Sequence, residues 1–264
     1  FTRGSMDGFG GSLQTNNVDS LVVRNVIFDN NQSWQGGGAI AINGGEAYFT
    51  NVLFSNNRVT FDGSNNQQGH GGAVILFNGG DPQSMDCADA TFVDCIFEEN
   101  GITSDFTSAS GEGAVIHASN GTGFEIIRSK FKRNYIGLSG SGSYANSIIS
   151  VQPENNVSSW EDYPLPIIHQ SLFEENFIQS QGDANRLVID SNVPIEFHNN
   201  LVINNALSSS LGPGNAIIKL GANQDQSGSQ GNSSIFNNTF YANSGTGFFL
   251  QATGGGEYVN VTNN

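Results

Sequence analysis

The chain has 264 residues, among them 34 Gly, 19 Phe, 6 Pro and 2 Cys, and 12% of it is charged. With 9 basic against 24 acidic residues the net charge is −15 and the pI about 4.3, a surface that repels phosphate backbones and argues against nucleic acid as a partner. Gly and the equally common Asn are poor helix formers, the apolar content is too high for a disordered chain, and no run of about 18 apolar residues offers a membrane span. The chain opens on Phe1 without a basic, apolar leader, which reads as a processed or excised segment.

Along the chain two motifs alternate. The first is Phe-x-x-Asn, at Phe28–Asn31, Phe54–Asn57, Phe97–Asn100, Phe131–Asn134, Phe173–Asn176 and Phe240–Asn243, with Val202–Asn205 filling the remaining gap. Five residues before each stands an apolar side chain (Val23, Phe49, Phe92, Ile126, Ile168, Phe197, Ile235). Three residues before each stands a polar one (Asn25, Asn51, Asp94, Arg128, Gln170, Asn199, Asn237). The second motif runs Gly37-Gly38-Ala39-Ile40, Gly71-Gly72-Ala73-Val74 and Gly113-Ala114-Val115. Weaker copies are Ser147-Ile148-Ile149, Arg186-Leu187-Val188, Asn215-Ala216-Ile217 and Gly247-Phe248-Phe249.

After each glycine pair the pattern alternates with the period of a strand, and no helix-period segment separates one strand from the next. Consecutive strands without crossover helices can be parallel only if the chain winds as a solenoid. The expected fold is therefore all-β, a right-handed parallel β-helix of about seven to eight coils, the superfold of the pectate lyases. Residues 1–264 form a single domain, and coils stacked about 4.8 Å apart make a rod roughly 35 Å long. Phe28, Phe54, Phe97, Phe131, Phe173, Val202 and Phe240 are expected to form an internal ladder. Asn at a repeated corner bonds its copies in neighbouring coils, and Gly at another supplies positive φ.

Gly-Gly-Ala-Ile alternating with Phe-x-x-Asn resembles the repeats of the polymorphic outer-membrane protein family, over roughly residues 10 to 264. The resemblance implies a β-helical passenger domain of the autotransporter kind, displayed on the cell surface and often adhesive. The matching positions are scaffold positions, so it carries over no catalytic residue.

The spacing from each glycine-type strand to the next Phe strand alternates between short and long, leaving long loops at 79–89, 152–165 and 221–233 on one side. Asp81, Trp160, Tyr163 and Asp225 on these loops are candidate contact residues. Both ends line up with the middle of a coil, so the expected partners are further coils of a longer chain or a second copy stacked end to end. Host or matrix glycans and proteins are the other expected partners.

Chemistry is sparse. Cys87 and Cys95 are a disulfide candidate for an oxidising compartment, with two unpaired thiols as the alternative. Of the Asn-x-Ser/Thr sequons, Asn120, Asn156 and Asn232 fall on loops and are glycosylation candidates, whereas Asn31 and Asn237 fall at ladder positions and are expected to be shielded. Gly69-His70-Gly71 resembles the Gly-His-Gly of polygalacturonases, but the Asn-Thr-Asp and Asp-Asp partners of that chemistry are absent, which leaves His70 as a corner residue. His117, His169 and His198 occur singly. Arg128, Lys130, Lys132 and Arg133 read as ion-paired with Glu98, Glu99 and Glu125. Asp81, Asp86 and Asp89 could hold calcium; no other cofactor, metal or catalytic residue is expected.

The expectation is a non-enzymatic extracellular or cell-surface β-helix serving as structural rod, adhesin passenger or filament subunit. The alternative is a polysaccharide lyase or glycoside hydrolase with its site on a β-helix face. A glycan-binding module would instead line exposed aromatics such as Trp34 and Trp160 along one face.

Overall fold

The computed structural model describes residues 1–61, 68–77, 88–119, 122–152, 165–181, 183–184, 186–209, 215–221, 232–245, 247–253 and 258–264. Among the described residues the chain is all-β, with no helix, and its strands form large parallel sheets.

Each repeat supplies strands in a fixed order. Ile40–Thr50 is a long strand whose first half pairs with Val74–Phe77 and whose second half pairs with Ala88–Val93. Leu53–Ser55 and Arg58–Thr60 follow, then Gln68–His70. The strands after the glycine turn and the strands before the Phe strands share one 14-stranded sheet joined at Ile40–Thr50, and the other strand types form sheets of their own with the repeats in chain order. The Phe strands form a seven-stranded sheet from Ile27–Asp29 to Thr239–Tyr241, and the strands that follow the Asn corner form another, from Ser5–Met6 to Ala206–Ser209. Gln68–His70, Ser110–Glu112, Tyr144–Asn146 and Asp183–Ala184 form a four-stranded sheet.

Register puts like on like. Phe28, Phe54, Phe97, Phe131 and Phe173 are consecutive Cα partners and fully buried. Their rings stack at centroid distances of 5.2, 4.8, 4.7 and 4.6 Å, within 13° of parallel. A second pile, Phe49 on Phe92, lies beside them at 4.8 Å. Val202 continues the main row and is buried. Phe240, its register partner, is only half-buried and packs edge-on against Phe249 at 4.3 Å.

The corners explain why Asn recurs. Asn25, Asn51, Asp94, Arg128, Gln170, Asn199 and Asn237 all have φ between 48° and 57°. Asn30, Asn56, Glu99, Arg133, Glu175, Asn204 and Ala242 sit two residues after each Phe-row position with φ between 52° and 57°. Both are left-handed turns, and Asn is the side chain best suited to them after Gly. Just past the second turn, the Asn of Phe-x-x-Asn points inward. Asn57 Nδ2 donates to Asn100 Oδ1 at 2.9 Å and to the Phe28 carbonyl at 2.9 Å. Asn100, Asn134, Asn176 and Asn205 repeat the pattern. Each Oδ1 also accepts from the backbone N–H of the preceding Asn, so buried polar atoms that would otherwise be costly are satisfied.

A shorter row follows the other left-handed turn. Its members are Cys95, Ser129, Ser171, Asn200, Asn238 and Asn264, and each of the first five uses the next side chain as acceptor for its own backbone N–H. Cys95 thus occupies a scaffold position. It is a free, buried thiol that donates to the Val93 carbonyl at 3.4 Å, and burial pushes its pKa up to about 11. Cys87 lies outside the described residues.

Candidate functional site

The third corner is built differently. Gly37, Gly71 and Gly113 turn with φ of 62°, 59° and 67°, and a Cβ at Gly71 would meet the Val74 carbonyl oxygen at 2.0 Å. On either side of this turn two rows of side chains face each other from different sheets. One is Gly36, His70, Glu112 and Asn146, the residue before the turn. The other is Ala41, Ile75, His117, Ser150, Asp190 and Lys219, on the strand after it. Alternation along that strand sends Ile116 and Ala118 into the core, so His117 belongs to the opposite face, yet it is only 4% exposed.

Three titratable groups meet there. Glu112 Oε2 lies 3.7 Å from His117 Nδ1 and 4.0 Å from His70 Nδ1, and the two imidazole centroids are 4.4 Å apart. Neither Nδ1 has a hydrogen-bond partner. Burial drives all three toward neutrality. His70 falls to about 4; His117 falls well below the usual imidazole range through burial and then the neighbouring His70; Glu112 rises to about 7 through burial and then Asp190, with Arg186 opposing.

One repeat further on, the same corner holds an ion-pair network. Asp190, almost fully buried, accepts from Asn146 Nδ2 and lies 3.3 Å from Arg186 Nε and 3.9 Å from Lys219 Nζ. The Arg186 guanidinium also donates to the Tyr144 hydroxyl. Burial lowers the Lys219 pKa, Asp190 raises it, and Arg186 lowers it. Asn146 Oδ1 and Asp190 Oδ1 are buried without a hydrogen-bond partner.

The corner histidine expected at position 70 is therefore one member of a cluster, and His117 is not solitary. His169 and His198 stack on each other at 5.0 Å, and His198 stacks on Phe236 at 4.6 Å, so these two are not solitary either. Glu112, Asn146, Arg186, Asp190 and Lys219 did not stand out in the sequence. A signal was present: Glu112 precedes Gly113 as His70 precedes Gly71, and His117 follows its glycine by the same four residues as Ile75.

The other sequence candidates lie elsewhere. Asn232 is exposed at the start of the strand Asn232–Phe236 rather than on a loop. Asn31 is buried in the Asn row, but Asn237 is exposed, because it is the turn residue and Asn238 fills the row. Asn120, Asn156, Asp81, Asp86, Trp160, Tyr163 and Asp225 lie outside the described residues. Asp89, in the strand Ala88–Val93, pairs in register with Glu46, and burial followed by Glu46 raises its pKa.

Arg128, Lys132 and Arg133 of the basic cluster are ion-paired, whereas Glu125 faces His169 at 3.4 Å. Arg128 grips Asp94 with two bonds of 2.8 and 2.9 Å, Lys132 meets Glu174 at 2.6 Å, and Arg133 contacts Glu98 and Glu99. No protein-family model matches the chain, and no curated protein or solved structure matches it either.

Proposed function

We propose that the strands wind as a right-handed parallel β-helix and that the chain works as a non-enzymatic extracellular scaffold: a surface rod, an adhesin passenger or a filament subunit. The observation that carries this reading is the chain-order stacking of like residues. Phe rings, Asn amides and left-handed turns recur in register from Phe28 to Asn243, so most of the side-chain information maintains one extended structure. The Gly-Gly-Ala-Ile and Phe-x-x-Asn repeats support kinship with the polymorphic outer-membrane protein family. An acidic, charge-sparse composition suits an exposed, soluble rod.

Two measurements test it. A crystal structure of the purified chain shows right-handed coils stacked about 4.8 Å apart; left-handed winding or strands that do not stack coil on coil contradict it. Antibody labelling of intact source cells reaches the chain if it is displayed outside, and labelling that requires permeabilisation contradicts the location.

A second reading, a lyase or glycoside hydrolase with its site on a β-helix face, is favoured by one observation. The Glu112 carboxyl is held 3.7 Å from His117 Nδ1 and 4.0 Å from His70 Nδ1 at the corner between two sheets, and burial pushes its pKa up to about 7, the range of a general acid. Release of sugar ends from an acidic polysaccharide panel, abolished by Glu112→Gln, would support it.

A further inference from the structure

We propose that His70, Glu112 and His117 form a binding site for a divalent transition-metal ion of the zinc class. Each residue offers one ligand atom, and the three atoms lie within 4.8 Å of one another. Zinc bonds of about 2.1 Å directed to the corners of a tetrahedron place their ligands about 3.4 Å apart. The Glu112–His117 and Glu112–His70 separations of 3.7 and 4.0 Å need only a few tenths of an ångström of closure to reach that spacing. Those same separations are too long for hydrogen bonds.

The unmet need of these atoms argues in the same direction. His117 is 4% exposed, its Nδ1 has no hydrogen-bond partner, and it lies on the carboxylate side of the ring. His70 Nδ1 is in the same condition from the adjoining strand. A buried polar nitrogen left unpaired has lost its water and gained nothing in return, and a structure that leaves two of them facing one carboxylate oxygen is short of a common partner. A cation fills that role, and a proton shared between one pair does not. Two imidazoles and one carboxylate suit zinc, copper or nickel rather than calcium, which takes six to eight oxygens.

The frame is rigid enough to hold the geometry. His70 and Glu112 are register partners in one parallel sheet, His117 lies on a strand of another, and the Gly113 turn between Glu112 and His117 has its backbone N–H bonded to the Asn146 carbonyl at 3.0 Å. Three protein ligands leave a fourth position for water or an exogenous donor, as in sites that bind small anions or activate water.

The test uses the whole chain. Metal-stripped protein is titrated with zinc chloride alone and, separately, with cobalt chloride, whose visible spectrum reports tetrahedral nitrogen–oxygen ligation. The expected result is one ion per chain, a tetrahedral cobalt spectrum displaced by zinc, and a rise in melting temperature on loading. His117→Gln and Glu112→Gln should each weaken binding by about a hundredfold or more, beyond the loss typical of removing a residue that only orients a ligand. If a variant fails to fold, His70→Gln serves in its place, and the wild-type titration decides by itself. Wild-type protein that takes up no stoichiometric zinc, or variants that bind it as tightly as wild type, would overturn the proposal.

Discussion

The Asn corner and the glycine corner of the same repeats obey opposite rules. At the Asn corner each residue stacks on a copy of itself, and from Asn31 to Asn205 each side-chain amide donates to the next in the row. At the glycine corner the position before the turn changes with every repeat, from Gly36 to His70, Glu112 and Asn146. The later changes bring different polar groups against different neighbours, and His70, His117, Asn146 and Asp190 keep buried atoms without a hydrogen-bond partner. A parallel stack of identical repeats constrains only the groups that bond their own copies. Where the turn is secured by glycine backbone alone, the flanking side chains are released from that demand, and unlike chemistry can collect there.

The largest effects are expected in the ladders. Asn134→Ala removes the acceptor of the Asn100 N–H, leaving that buried group unpaired, and takes one bond each from Asn100 Nδ2, which keeps the Phe54 carbonyl, and from the Phe97 carbonyl. At about 1–3 kcal/mol for the unpaired group and about 1 kcal/mol for each further bond lost, the cost should be about 3–5 kcal/mol in urea unfolding. Phe131→Ala should cost a similar amount, since it empties a fully buried ring site between Phe97 and Phe173. Tyr241→Ala, at 70% exposure on the neighbouring strand position, should change stability by less than about 0.5 kcal/mol. Equal losses in Phe131→Ala and Tyr241→Ala would erase the distinction between the two kinds of position.

The glycine corner should respond to pH instead. In metal-free protein, with chelator present, the Glu112 carboxyl has a folded pKa of about 7, above its ordinary 4.5. Well below 4.5 it is protonated both folded and unfolded and costs nothing; as pH rises toward 7 only the unfolded chain ionises, so stability is lost across that window. Glu112→Gln removes the loss. Each tenfold difference in proton affinity between the folded and unfolded carboxyl is worth about 1.4 kcal/mol, so the variant should stabilise the metal-free chain by about 2–3 kcal/mol at pH ~8 and by almost nothing at pH ~3.5. His70 and His117, both held neutral by burial, act in the other direction: their contribution is present above about 6.5 and falls away as pH drops. Asp190 and Arg186 also face this group, so the comparison is made between variants at each pH. A pH-independent difference between wild type and Glu112→Gln would mean that the carboxyl is not held in its neutral form.

What could be read from the sequence follows the same division. Phe-x-x-Asn was visible because a ring must meet a ring and an amide an amide, which writes a period into the chain. The polar residues three places before each Phe were visible too, although their role as left-handed turns needed φ values to identify. His70 and Glu112 hold equivalent places before their glycines, but they were not visible as a set with His117, because side chains that change from repeat to repeat write no period into the chain. Only the register, which sets Glu112 on His70 and His117 on Ile75, brings them together. The one-residue error at Asn237 has a related cause: the doublet Asn237-Asn238 contains both the turn residue and the row residue, and composition does not say which is which.

A small gain in stability refines the contrast at the Asn corner itself. Ala242 occupies the turn position that Asn30, Asn56 and Asn204 fill in other repeats, with φ of 52°. A Cβ without a polar group gains nothing in the left-handed region, whereas the Asn side chain tolerates it through local hydrogen bonding. The residue is exposed, so a larger side chain there meets solvent rather than the core. Ala242→Asn should therefore raise stability by about 0.5–1 kcal/mol, and Ala242→Gly by a comparable amount, since glycine removes the Cβ conflict but adds freedom to the unfolded chain. A β-branched residue should act in the opposite sense, so that Ala242→Val lowers the melting temperature. If Asn, Gly and Val were all neutral at this position, backbone conformation would not be what selects Asn at the turns, and the bonds of the buried Asn row would have to account for the repeat alone.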